Sequence, residues 1–147
     1  MESSSPEETR RLGQALGRAA EAGDVVLLSG QLGAGKTVFV QGMARGLDFH
    51  GPVSSKSFVL LGEYAGRITL FHADLYRLES PAEVQELALD EISRDGVLVV
   101  EWPERGGISL SEQHLTLRFE VTGPETRRIT TEPTGARARA LAQAINE

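Results

Sequence analysis

The run Val25-Val26-Leu27-Leu28-Ser29 followed by Gly30-Gln31-Leu32-Gly33-Ala34-Gly35-Lys36-Thr37 constrains the fold more than any other part of the chain. The first half is apolar and rich in β-branched residues, as a strand buried on both faces is. The second half fits G-x-x-x-x-G-K-[ST] in full, the pattern of a phosphate-binding loop. Glycines let such a backbone curl so that successive N–H groups point inward at an anion. A helix is expected to follow from Lys36 to Leu47, bounded by Gly46 and the Gly51-Pro52 pair, and its N-terminus adds partial positive charge. In that setting Lys36 reaches the β- and γ-phosphates of a nucleotide, and the Thr37 hydroxyl is placed to coordinate Mg²⁺.

The rest of the chain supplies the elements around this unit. Ser5, Pro6 and Glu8 form a capping signature for an opening helix, with Leu12, Ala15, Leu16, Ala19 and Ala20 on one face and Gly23 as its stop. Phe58 to Tyr64 and Ile68 to Phe71 read as strands joined at Gly66. Pro81 opens a helical, strongly acidic stretch, and Val97 to Trp102 is a second strand with a buried look. His114 to Val121 alternates as an antiparallel strand does, pairing with Arg127 to Thr131 around Gly123-Pro124. Ala136 to Asn146 closes the chain as an alanine-rich helix. The expectation is one α/β domain over residues 1–147, parallel in its first part and antiparallel towards the end.

Composition narrows the chemistry. The absence of cysteine excludes disulfides, thiolate metal sites and a cysteine nucleophile. No run approaches the roughly 20 apolar residues that span a bilayer, and the polar N-terminus carries no apolar signal segment, so a cytoplasmic location without membrane contact is expected. A net charge of −6 argues against an autonomous DNA or RNA binder, which gains affinity from a basic surface.

A phosphate-binding loop needs a carboxylate near the metal, normally at the end of a neighbouring strand. Glu101 ends the run Val97 to Val100, and Asp74 follows Ile68 to Phe71; both would emerge at the carboxyl edge of the sheet, where ligands of open α/β sheets bind. One could hold metal-bound water while the other orients the attacking water or senses the γ-phosphate. Lys36, Asp74 and Glu101 are therefore the candidate catalytic set, each acid having an ordinary surface role as its alternative. Trp102 divides between packing and contact with nucleotide or partner. His72 reads as a structural group, Arg77 as an ion-pair partner of Asp74, and His50 and His114 show no triad constellation.

Four segments in order, GQLGAGKT, VSSKSFVL, HADLYRL and VEWPERG, resemble the TsaE (YjeE) family of small P-loop ATPases of bacterial tRNA threonylcarbamoyladenosine synthesis. The resemblance implies a P-loop NTPase-like, three-layer α/β/α domain with a mixed sheet, a parallel core and antiparallel late strands. It implies binding of ATP or ADP with Mg²⁺, and hydrolysis that supports TsaB and TsaD in modifying adenosine 37 of tRNAs reading codons that begin with A. Contact with tRNA would then run through the complex. By position, Gly33, Ala34, Gly35, Lys36, Thr37 and Val38 would bind the nucleotide, and Thr37 with Glu101 would ligate Mg²⁺. Asp74 would serve hydrolysis, while Thr9 and Gly123 would touch the nucleotide from the opening helix and the late hairpin. One departure is Lys56 in Ser55-Lys56-Ser57-Phe58, where the family has proline. Two other functions stay open: a small P-loop kinase, disfavoured by the acidic stretch Glu79 to Asp95, and a non-hydrolysing ATP-sensing switch. That acidic stretch is also a candidate partner-facing surface, and Arg77 and Arg105 are internal candidates for an arginine finger.

Overall fold

The computed structural model describes residues 1–31, 33–53, 61–75, 91, 93–103 and 113–146. A two-residue strand β1 (Glu2–Ser3) precedes helix α1 (Pro6–Ala19). The Ser5 hydroxyl accepts the Glu8 N–H at 3.2 Å, while the Glu8 carboxylate reaches back to the N–H of Ser4 at 2.8 Å, one residue earlier than in the standard box. The helix ends at Ala19, ahead of Gly23. Gly23 instead serves the turn into the next strand, at φ +95 and donating to the Gly96 carbonyl at 2.8 Å.

The remaining strands are β2 (Val25–Gly30), β3 (Leu61–Tyr64), β4 (Thr69–Asp74), β5 (Gly96–Glu101), β6 (His114–Val121) and β7 (Arg127–Thr134). Among the described residues the remaining helices are α2 (Lys36–Gly46) and α3 (Ala136–Asn146), with one 3₁₀ turn at Ser93–Asp95. The seven described strands form one sheet in the order β1-β7-β6-β2-β5-β4-β3. Its centre, β4-β5-β2-β6, is parallel, and β7 and β1 continue it antiparallel, so the mixed sheet with a parallel core and antiparallel late strands is observed. Two features go beyond the sequence expectation. β3 is antiparallel on β4 at the other edge, and β6 is parallel to β2 while antiparallel to β7. Alternation along β6 reports that Leu115, Leu117 and Phe119 face a core, and that says nothing of a neighbour's direction.

β2 and β5 are buried on both faces, as their apolar runs require. Val26, Leu28, Val97 and Val99 pack with Leu16 of α1, Phe39 and Met43 of α2, and Leu141 and Ile145 of α3. Val25, Leu27, Leu98 and Val100 form a second core with Phe71, Ala73 and Leu75. The three described helices thus share one face. The helical stretch expected from Pro81 to Gly96, which would build the third layer, lies mostly outside the described residues; at its end Ser93–Asp95 is a 3₁₀ turn and Gly96 already begins β5.

α1 and α2 meet backbone to backbone. A Cβ on Gly42 would lie 2.0 Å from the Arg10 carbonyl oxygen, and one on Gly13 would lie 2.2 Å from that of Phe39; Gly17 and Gly46 are equally tight. Gly46, expected as a helix boundary, is therefore the last helical residue of this seam. Asp48 ends the helix instead: it sits at φ +68, and the N–H groups of Phe49 and Asp48 donate to the carbonyls of Ala44 and Arg45 at 2.9 and 3.0 Å. The seam fixes the start of α1, with Thr9, against the start of α2 and the loop before it.

Candidate functional site

The loop between β2 and α2 turns on glycines. Gly33 and Gly35 have φ of +78 and +96, a left-handed conformation that residues with a Cβ rarely adopt. Gly35 is the N-cap of α2 and makes no side-chain capping bond, so the first turn of that helix offers its N–H groups to an anion. Gly30, at the end of β2, lies so close to β6 that a Cβ would stand 2.6 Å from the Phe119 carbonyl oxygen.

Lys36 is buried, only 4% exposed. Its Nζ donates to the Gly30 carbonyl at 2.7 Å and stands 3.8 Å from the centre of the Trp102 ring. Trp102 is held at φ +59, a strained position for a bulky side chain, and its N–H donates to the Leu28 carbonyl at 3.2 Å. The strain puts the indole face beneath the ammonium, where a cation–π contact stabilises it. Trp102 therefore packs into the site and does not merely follow it in sequence.

Asp74 and Glu101 are the last residues of β4 and β5 and are direct neighbours in the parallel register. Both line one cavity of about 260 Å³ with Gly33, Gly35, Lys36, Thr37, Val38 and Trp102. Glu101 is 4% exposed, and its Oε2 lies 2.6 Å from Nε2 of the fully buried His72. With Glu101 as a carboxylate, the His72 Nε2–H donates, and Nδ1 is buried without a hydrogen-bond partner. The sequence reading of His72 as a structural group missed this pairing. The available signal was the strand period: His72 lies two residues before Asp74, so both point to the same face beside the end of β5.

A second cavity of about 130 Å³ shares Gly33, Gly35 and Val38 with the first and adds Pro6, Thr9, Glu125 and Arg127. Thr9 is buried against this side of the loop, its hydroxyl 2.7 Å from that of Ser3. Gly123 and Ala34 line neither cavity. Gly123 is tied to the loop through Arg127, whose guanidinium donates to the carbonyls of Gly123, Ala34 and Gly33 at 3.0, 3.1 and 3.2 Å. No local signal in the sequence marks Arg127. Ser55 to Phe58 with Lys56, Arg77, Arg105 and most of the acidic stretch from Glu79 lie outside the described residues.

The donor set suits a hard divalent cation: a hydroxyl on Thr37 and carboxylates on Glu101 and Asp74. Among the described residues no group of three or more His, Cys, Asp or Glu side chains could hold a metal alone. A cation here would share its coordination with phosphate oxygens and water, the usual arrangement for Mg²⁺. Among the described residues, too, no helix is long and apolar enough to cross a membrane.

A larger cavity, about 500 Å³, opens at the opposite edge of the sheet, lined among others by Glu21, Asp24, His114 and Arg137. Arg137 donates to both oxygens of Asp24, from Nη2 at 2.7 Å and Nε at 3.2 Å. These bonds push the arginine pKa still higher than usual.

Comparison with known proteins identifies the family. The family model for threonylcarbamoyl adenosine biosynthesis protein TsaE matches residues 3–129. The tRNA threonylcarbamoyladenosine biosynthesis protein TsaE of Treponema pallidum is 42% identical over 129 residues, covering 87% of this chain and 96% of its own. The Bacillus subtilis protein of the same name is 36% identical over 143 residues, covering 96% and 89%. The crystal structure of Bacillus subtilis YdiB superposes with a TM-score of 0.82 at 32% identity, over 99% of this chain and 92% of that one. With its glycine-rich loop at the carboxyl edge of a mixed sheet and this likeness along nearly its whole length, the chain belongs to the TsaE family.

Proposed function

We propose that this chain binds ATP or ADP with Mg²⁺ at the carboxyl edge of the sheet, hydrolyses ATP, and so supports tRNA threonylcarbamoyladenosine synthesis together with TsaB and TsaD. The observation that carries the proposal is the convergence of Lys36, Thr37, Asp74 and Glu101 in one cavity at the N-terminus of α2. The names of the relatives supply the pathway. Main-chain N–H groups from Gly33 to Thr37, with the Lys36 ammonium, take the phosphates, and Thr9 and Val38 bound the second cavity beside them. Mg²⁺ bound with Thr37 and Glu101 would neutralise phosphate charge. Asp74, next to Glu101 in register, would orient the attacking water. His72 holds the Glu101 carboxylate from behind. The net charge of −6 fits an accessory protein that leaves most contact with tRNA to its partners.

The test is ATP turnover by the purified protein, alone and then with TsaB, TsaD and tRNA, with Lys36→Ala as the blank. The expected result is slow turnover alone and strong stimulation in the complex, both abolished in the blank. Nucleotide binding without turnover under any condition would replace the ATPase by an ATP-sensing switch. Turnover indifferent to the partners would detach the chain from their reaction.

A further inference from the structure

We infer that Arg127 is a positioning residue that holds the phosphate-binding loop in its anion-ready shape before any nucleotide arrives. The inference deepens the nucleotide-binding proposal and rests on it for its functional consequence. A loop whose N–H groups converge on an anion must turn its carbonyls the other way, and those carbonyls need donors. Arg127 supplies them for two successive residues: Nε donates to Ala34 at 3.1 Å and Nη2 to Gly33 at 3.2 Å. Its remaining arm donates from Nη1 to Gly123 at 3.0 Å and Thr126 at 2.9 Å, within the turn that joins β6 to β7. One planar guanidinium thus ties that turn to the two loop residues before the Gly35 cap, a fork that the single ammonium of lysine cannot reproduce.

The backbone beneath this side chain is itself fixed from both sides. Arg127 begins β7, opposite Val121 of β6 and opposite Ser3 of β1. The Ser3 hydroxyl in turn contacts that of Thr9 at 2.7 Å, on the wall of the same cavity. Among the described residues no carboxylate forms an ion pair with Arg127, whose hydrogen bonds all go to main-chain carbonyls, although Glu125 lines the same cavity. Two contributions follow, and they can be separated: the hydrogen-bonded fork sets the loop's shape, and the charge attracts phosphate from nearby.

The experiment compares wild type, Arg127→Lys and Arg127→Gln by amide hydrogen exchange of the ligand-free protein and by titration with Mg-ADP. If the fork shapes the loop, both variants exchange roughly tenfold faster at Ala34, whose N–H donates to the Gln31 carbonyl at 3.1 Å within the loop, while amides of β5 keep wild-type protection. Affinity for Mg-ADP falls about tenfold in Arg127→Gln and by a smaller factor in Arg127→Lys, which keeps the charge. Wild-type exchange at the loop in Arg127→Lys overturns the inference and leaves only a charge. Faster exchange spread evenly over loop and β5 overturns it too, by showing general destabilisation. Failure of the wild type to bind Mg-ADP would sink the nucleotide proposal, and the ligand-free exchange would still decide the role of Arg127.

Discussion

Arg127 and Arg137 stand at opposite edges of one sheet and are held in opposite ways. Arg137 closes on Asp24, a nearly buried carboxylate, with Glu21 a further 3.7 Å contact, so charge meets charge. Arg127 closes on main-chain carbonyls, whose dipoles orient it without cancelling it. The cavity at the Arg137 edge is nearly twice the size of the one beside Lys36, about 500 against about 260 Å³. Size alone would point to the Arg137 edge. What marks the carboxyl edge is glycine backbone at positive φ, a helix start without a side-chain cap, and carboxylates at the ends of two adjacent strands. The larger cavity is walled by an ion pair that stabilises the fold, and the smaller one has the chemistry of an anion site.

The comparison makes mutations at the two edges separable. The largest effect is expected at the loop: Lys36→Ala removes a buried ammonium and lowers Mg-ADP affinity at least ~100-fold, roughly 3 kcal/mol, a larger loss than it causes in stability. Calorimetric titration and a melting curve on the same sample check both halves. Asp24→Ala should do the reverse. Losing the acceptor for Arg137 and for the Glu21 N–H costs about 2–3 kcal/mol of stability, and Mg-ADP affinity stays within about twofold. A parallel loss of affinity would break the comparison, because the edges would then not be independent.

Glu101 sharpens it further, since one side chain serves both fold and site. Glu101→Ala leaves the buried His72 N–H without its acceptor and costs about 2 kcal/mol in denaturant unfolding. Glu101→Gln keeps an acceptor and most of that stability, yet should lose the enhancement of ADP binding by Mg²⁺. The smallest effect belongs to the exposed pair Arg118–Glu132 at 2.8 Å. Arg118 holds the Glu132 carboxyl below its ordinary pKa, so the pair stabilises the folded chain at neutral pH. That contribution fades as pH falls through the lowered pKa of the folded state. Glu132→Gln should therefore lower the melting point slightly at neutral pH and less in acid, as a pH series of melting curves would show.

Local patterns were legible in the sequence and long-range geometry was not. The expected β2, α2 and α3 agree with the structure to within a residue, because burial on both faces and helical spacing are short-range signals. Asp74 and Glu101 at strand ends were readable for the same reason. The Arg127 bonds to the loop span 93 and 94 residues, and the His72–Glu101 pair spans 29, so neither leaves a local trace. The seam of α1 against α2 was written in Gly13, Gly17, Gly42 and Gly46. Glycine inside a helix argues against the helix by propensity, however, and only the facing helix shows why it is there. β1 is too short to carry any period at all.

The most direct test of the account is amide hydrogen exchange of the wild-type protein with and without Mg-ADP, mapped along the chain. Protection is expected at residues 33–38, at Thr9 and around Glu101 and Trp102, with no change around Glu21, Asp24 and Arg137. Protection at the larger cavity, with the loop left as it was, would contradict it.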